Sequence, residues 1–170
     1  MSFRVVSIVG TDLHPFDRLV GWLDAWAAAN PEASVFQQIG TSRPPLHCEY
    51  SPLVSWDELL GFVSEASVVV THAGPATIAD VRKLGRVPIV VPRDPDMGEH
   101  VDGHQQRYAA HLGSTGRIRM VGQQSELVDE LDQAVSDPSL FRCETENQTP
   151  EEVAHRFGTL VYEIRPSRSR

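Results

Sequence analysis

The sequence predicts an α/β fold, a Rossmann-like open and mostly parallel sheet with helices on both faces. Three observations lead there. Short β-rich runs alternate with segments whose apolar residues recur at helical spacing. Val68, Val69 and Val70 are apolar in succession, as a strand buried on both faces requires. That run leads into Gly74-Pro75, a glycine turn followed by a proline at the first helical position.

Residues 3–9 form the first predicted strand, ending at Gly10-Thr11-Asp12; Phe16, Leu19, Val20, Leu23, Trp26 and Ala27 then mark a helix. Residues 34–39 make a second strand that Gly40-Thr41-Ser42 and Arg43-Pro44-Pro45 cannot prolong. A short third strand fits residues 47–50. Ser55 and Glu58 are spaced as a capping box, so a helix should run to Glu65 before the buried strand at 68–71.

The next helix spans 76–84 and stops at Gly85, followed by a strand at 87–91 and a charged loop at 93–103. A helix at 104–112, a strand at 118–121 and a helix at 125–136 follow, the last with Leu127, Val128, Leu131 and Val135 on one stripe. Asp137-Pro138 ends it. After a connector at 143–149, Thr149-Pro150-Glu151-Glu152 opens a helix carrying Val153, Phe157, Leu160, Val161 and Ile164. Residues 1–164 are expected to be a single domain and 165–170 a loose tail.

The chain has 170 residues, 41% hydrophobic and 22% charged, enough for one buried core. Its net charge of -8 argues against binding a nucleic-acid backbone, which needs a basic stripe. Cys48 and Cys143 lack metal-ligand spacing and are too few for a disulfide framework, which fits a reducing cytoplasm. No stretch approaches a membrane span of roughly 20 apolar residues, and residues 3–9 follow Met1 where a signal peptide would differ. Membrane attachment would therefore come through a partner.

In a parallel sheet, ligands bind beyond the carboxyl ends of the strands. Gly10-Thr11, Gly40-Thr41, Thr71-His72-Ala73-Gly74 and the loop at 92–104 all follow strands and should converge there. Gly74, Pro75 and Ala76 open a helix whose first-turn N–H groups lack intrahelical acceptors. Aligned peptide dipoles place roughly half a positive charge at such an end, so a diphosphate suits it.

The pattern His72-Ala73-Gly74, Thr77-Ile78, Gly85, Pro88, Val91-Pro92, Glu99-His100 and His104-Gln105 resembles the donor-binding domain of family-28 glycosyltransferases, one half of a GT-B enzyme. Val9-Gly10-Thr11, Phe16-Asp17-Arg18-Leu19-Val20 and Gln38-Ile39-Gly40 resemble one branch of it, in which this domain is a separate chain. That branch includes the catalytic subunit of the dolichol-linked N-acetylglucosamine transferase and bacterial exopolysaccharide transferase subunits, which work with a membrane-anchored partner. The resemblance covers roughly residues 3–136. Family members often carry glycine at the position of Ala76 and glutamate at that of Asp80.

The resemblance implies a role for each residue. Gly10, Thr11, His72, Ala73, Gly74, Pro75, Ala76 and Thr77 would hold the diphosphate of a UDP-sugar, and Asp80 the ribose hydroxyls. Glu99, His100, His104, Gln105 and Gln106 would face the sugar, where an amide suits hydroxyls because it donates and accepts. Each has a plainer alternative: His72 as a helix cap, Thr77 as a local backbone partner, the glutamines as a solvated helix start. His14 is a candidate general base, since imidazole titrates near neutral pH, or an ordinary loop histidine.

No metal is expected: His100 and His104 are four apart, but Gly103 interrupts a shared helix face. Asp94-Pro95-Asp96 belongs to a solvated loop long enough to be a lid over the sugar. No cofactor beyond the UDP-sugar substrate is implied. The implied reaction is an inverting, metal-independent sugar transfer to a lipid-linked or polysaccharide-precursor acceptor, at the inner face of the membrane. A membrane-anchored partner would bind that acceptor. A self-sufficient homo-oligomer and a non-catalytic nucleotide-sugar-binding module are the alternatives.

Overall fold

A computed structural model describes residues 3–145. Strands β1 (Arg4–Ile8), β2 (Ser34–Gln38), β3 (Glu49–Ser51), β4 (Val68–Thr71), β5 (Ile89–Val90) and β6 (Arg119–Met120) form one sheet. Its order is β3-β2-β1-β4-β5-β6 and every pairing is parallel. The helices are α1 (Asp17–Ala29), α2 (Trp56–Glu65), α3 (Pro75–Lys83), α4 (His104–Ser114) and α5 (Gln124–Ser136). The chain runs outward from β1 to β3 and returns to place β4 on the other side of β1. The loops after β1 and β4 therefore open side by side, where such sheets bind ligands.

Alternation along each central strand divides the core between the two faces. Val5, Val68, Val70 and Ile89 pack with Phe16, Leu19, Leu23 and Trp26 of the α1 segment and with Leu127 and Leu131 of α5. Val6, Ile8 and Val69 turn the other way, toward Val63 of α2 and Val81 of α3. Val90 joins Ile78 of α3 and Tyr108, Ala109 and Leu112 of α4. Burial on both faces is what the unbroken valine run of β4 signalled.

Local signals also hold. Ser55 and Glu58 form both bonds of their capping box, and Gly85 has φ +71°, the left-handed conformation wanted after α3. All six residues that periodicity assigned to the first helix are buried, Phe16 as its N-cap.

Some boundaries shift. β3 occupies residues 49–51 rather than 47–50, with Glu49 and Tyr50 exposed at the sheet edge. β5 is confined to Ile89–Val90; it starts after Pro88, which has no N–H for a ladder. Val135 is 45% exposed and Ala134 takes its place beside Leu127 and Leu131, the spacing that one helix face imposes. Cys48 and Cys143 are free thiols. No helix among the described residues is long and apolar enough to cross a membrane. The expected helix from Thr149-Pro150 and part of the connector at 143–149 lie outside the described residues.

Candidate functional site

Gly74 is the N-cap of α3, and no side chain caps that end. Pro75 removes one of the unpaired donors, leaving the N–H groups of Ala76 and Thr77 without an intrahelical acceptor. No acidic side chain occupies the first turn, and Arg82 and Lys83 occupy the last, which suits the helix dipole. This end opens on a cavity of about 360 Å³. Gly10, Thr11, His72, Gly74, Pro75, Ala76 and Thr77 line one side, and Leu53, Val54, Trp56 and Leu59 from the β3–α2 segment line another. The apolar wall carried no recognisable sequence signal, because its residues lie in a connector before an ordinary capping box.

Gly74 was expected to be glycine for a sharp turn, yet its φ of -78° is open to any residue. The requirement is space: a Cβ on Gly74 would lie 2.2 Å from His72 Nε2, and one on Gly10 would lie 2.7 Å from His72 Cε1. Gly10 also has φ +81°. Its N–H donates to Gln38 Oε1 at 3.0 Å, and its carbonyl accepts from Gln38 Nε2 at 3.0 Å. Its amide is thus taken, and Gly10 shapes the cavity without offering a donor to an anion.

His72 is 9% exposed, and burial, with the Arg93 charge nearby, pushes its pKa down to about 4. The imidazole is therefore neutral at pH 7. Its Nδ1 stands 3.3 Å from the carbonyl oxygen of Ile8, which can only accept, so Nδ1 carries the proton. Nε2 is then an acceptor, and His72 provides no proton to a phosphate oxygen in this arrangement. Ala73 is fully buried and Thr77 half-buried.

A second group gathers beside the first, on the loops after β1 and β5. Asp12 Oδ1 accepts the N–H of His14 at 2.8 Å and faces its ring Nδ1 at 2.6 Å. Asp12 Oδ2 stands 3.5 Å from His100 Nε2, joining the two loops. Burial raises the Asp12 carboxyl, but the His14 hydrogen bonds and the Arg93 and His100 charges outweigh it and hold the group below the usual range.

Beneath them lies Arg93, 1% exposed, donating to the carbonyls of Val9 at 2.9 Å, His14 at 2.7 Å and Glu99 at 3.0 Å. Sequence reading put Arg93 in a solvated loop and did not single out Asp12. A carboxylate two positions before a candidate base was the signal that was there to be used.

Glu99 is held in a buried ion pair. It is 4% exposed; Arg18 Nε and Nη2 donate to its two oxygens at 2.9 and 2.7 Å, and Asp94 N–H donates at 2.8 Å. This pair anchors the 93–103 loop to α1, so the described loop is a tethered segment rather than a free lid.

Gln105 is buried at the start of α4, its Oε1 accepting from Arg93 N–H at 3.4 Å, and Gln106 is half-buried beside it. His100, Asp102 and His104 bring ligand atoms within 4.8 Å of one another, so Gly103 does not keep them apart as its place in the sequence implied. Asp102 Oδ1 accepts the His104 N–H at 2.9 Å and pairs with the His104 ring, which accounts for it as the start of α4. Asp80 lines no part of the cavity; it stands 3.7 Å from Lys83 Nζ, and burial raises its pKa.

Comparison with known proteins shows the family and the fold. Residues 14–161 match the glycosyltransferase family 28 C-terminal domain. A UDP-N-acetylglucosamine transferase subunit ALG13 of Debaryomyces hansenii is 32% identical over 110 residues, 62% of this chain and 48% of the relative. The chain thus spans about half the length of the curated relative it matches.

Among solved structures, an NMR structure of ALG13 superposes with a TM-score of 0.60 at 16% identity, covering 94% of this chain and 97% of that one. MurG of Acinetobacter baumannii gives 0.59 at 20% identity, covering 95% and 50% respectively. The kitacinnamycin glycosyltransferase gives 0.62 at 21%, covering 95% and 38%. These likenesses show the shared fold, and the match over residues 14–161 shows the family. This chain belongs to the glycosyltransferase family 28 C-terminal domain.

Proposed function

We propose that the chain is the donor-binding, catalytic subunit of a two-chain inverting glycosyltransferase. It seats a UDP-sugar, and a membrane-anchored partner presents a lipid-linked or polysaccharide-precursor acceptor. The observation that carries this reading is a cavity joining an uncapped helix start to an apolar wall. The N–H groups of Ala76 and Thr77 and the Thr77 hydroxyl meet the diphosphate, while Trp56, Leu53, Val54 and Leu59 cover the nucleoside. The sugar then extends toward the loop that carries His100 and the start of α4 with His104 and Gln105.

Chemistry follows from the leaving group. Charge developing on the departing diphosphate is stabilised by fixed N–H dipoles already aimed at it, so no metal is required in this domain. The name of the Debaryomyces hansenii relative supports a UDP-sugar donor and a subunit arrangement. Leu13 at 85% and Val101 at 76% exposure, on loops after β1 and β5, leave apolar side chains at the carboxyl edge for a partner to cover. Through that partner the chain would sit at the cytoplasmic face of a membrane.

Calorimetric titration with UDP, with UMP, ADP and GDP as controls at fixed salt, tests the reading. Saturable binding that prefers UDP to UMP supports it. UMP binding as tight as UDP would contradict a diphosphate site.

A further inference from the structure

His14 is held from several directions, unlike a histidine that merely occupies a loop. Its N–H and its ring Nδ1 both meet Asp12 Oδ1, at 2.8 and 2.6 Å. Its carbonyl accepts from the buried Arg93 guanidinium at 2.7 Å, which the carbonyls of Val9 and Glu99 fix in turn. The His14 side chain nevertheless stays 39% exposed. An ionised carboxylate can only accept, so Nδ1 bears a proton, and in the neutral ring Nε2 then presents a lone pair.

We propose that Asp12 positions His14 as the general base of sugar transfer, so that the base resides in this chain and not in its partner. This rests on the donor-site reading above. The loop that carries the pair begins with Gly10 and Thr11, which line the cavity. Asp12 Oδ2, 3.5 Å from His100 Nε2, ties it to the loop leading into Gln105. The pair thus follows two cavity-lining residues in the chain and is tied to the loop that leads into α4.

In the step, the acceptor hydroxyl oxygen forms a bond to the anomeric carbon, and its proton passes to His14 Nε2. The bond from that carbon to the diphosphate oxygen breaks, and its electron pair leaves with UDP. His14 becomes an imidazolium whose Nδ1–H remains on the Asp12 carboxylate, which stabilises the new charge without taking the proton. Asp12 is a positioning residue, since it acts through the imidazole. His100, on its other oxygen, fixes the direction of the carboxylate.

The test combines a spectroscopic signature with turnover. Long-range ¹H–¹⁵N correlation on the full chain, above the titration of its histidines, is expected to show His14 as a single Nδ1–H tautomer. Asp12→Ala should give a mixture containing Nε2–H. UDP release from an equimolar mixture of UDP-N-acetylglucosamine, UDP-glucose and UDP-galactose, with source-cell membranes added, should fall by roughly 10²-fold in His14→Gln and Asp12→Ala. Donor KM and UDP affinity should stay within twofold.

An Nε2–H tautomer in the wild type, or Asp12→Ala turnover within threefold of wild type, overturns the proposal while leaving the donor site intact. Failure of the wild-type chain to bind UDP is a separate result that defeats the donor site and the proposal with it.

Discussion

A methyl group on Gly74 would lie 2.2 Å from His72 Nε2, because the buried imidazole occupies the space where a side chain would stand. Gly74→Ala should therefore destabilise the fold by about 1–3 kcal/mol through overpacking, although its backbone conformation accepts alanine. Combining it with His72→Ala, which empties that space, should cost less than the sum of the two single changes. Denaturant midpoints of the two single variants and the double variant measure this coupling. Strict additivity would show that the ring and the glycine are independent.

Acid should unfold the protein in a window set by His72. Its folded pKa of about 4 lies below the ordinary 6.5, so the unfolded chain takes up a proton that the folded chain refuses. The stability contributed by the neutral ring is complete above pH 6.5 and is lost as pH falls toward 4. At 1.36 kcal/mol per pKa unit the loss approaches about 3 kcal/mol. Urea midpoints at pH 7.5, 5.5 and 4.5 follow it, and His72→Gln should flatten the slope between pH 6.5 and 4.

Arg18 and Glu99 predict a structural rather than a sugar-binding phenotype. Their side chains are 13% and 5% exposed, so removing one leaves a poorly solvated charge. Glu99→Ala should cost about 3 kcal/mol, and Arg18→Ala with Glu99→Ala less than the sum. If Glu99→Ala instead preserved the thermal midpoint and weakened only UDP-sugar binding, the carboxylate would be a ligand after all.

Different parts of the donor should respond to different residues. Trp56→Ala is expected to weaken UDP binding about tenfold and leave inorganic pyrophosphate binding unchanged. Gln105→Ala should spare UDP and weaken the UDP-sugar. Calorimetry with the three ligands separates these effects; equal losses for all three would mean that the substitutions act through the fold.

The sequence made legible what is written in local pattern. The valine run of β4, the Ser55–Glu58 capping box and the Gly74-Pro75 helix start each depend on near neighbours in the chain, and each was found. Hidden features depend on which strands become neighbours. Gln38 clamps Gly10 only because β2 lies beside β1, and Arg93 reaches Val9 and His14 only because the chain returns across the sheet.

Charge misled for the same reason: Arg93 reads as part of a charged loop and Glu99 as a residue facing the sugar, yet each finds buried partners far along the chain. Glycine was recognised at Gly74, but its cause was not, since the space it spares belongs to His72.

Backbone amide chemical-shift mapping of the ¹⁵N-labelled chain with UDP reads out whether a diphosphate sits at the start of α3. The largest saturable shifts are expected on Gly74, Ala76 and Thr77, with the Trp56 indole following the same isotherm. Saturable UDP binding that leaves those amides unmoved would contradict a diphosphate seated at the start of α3.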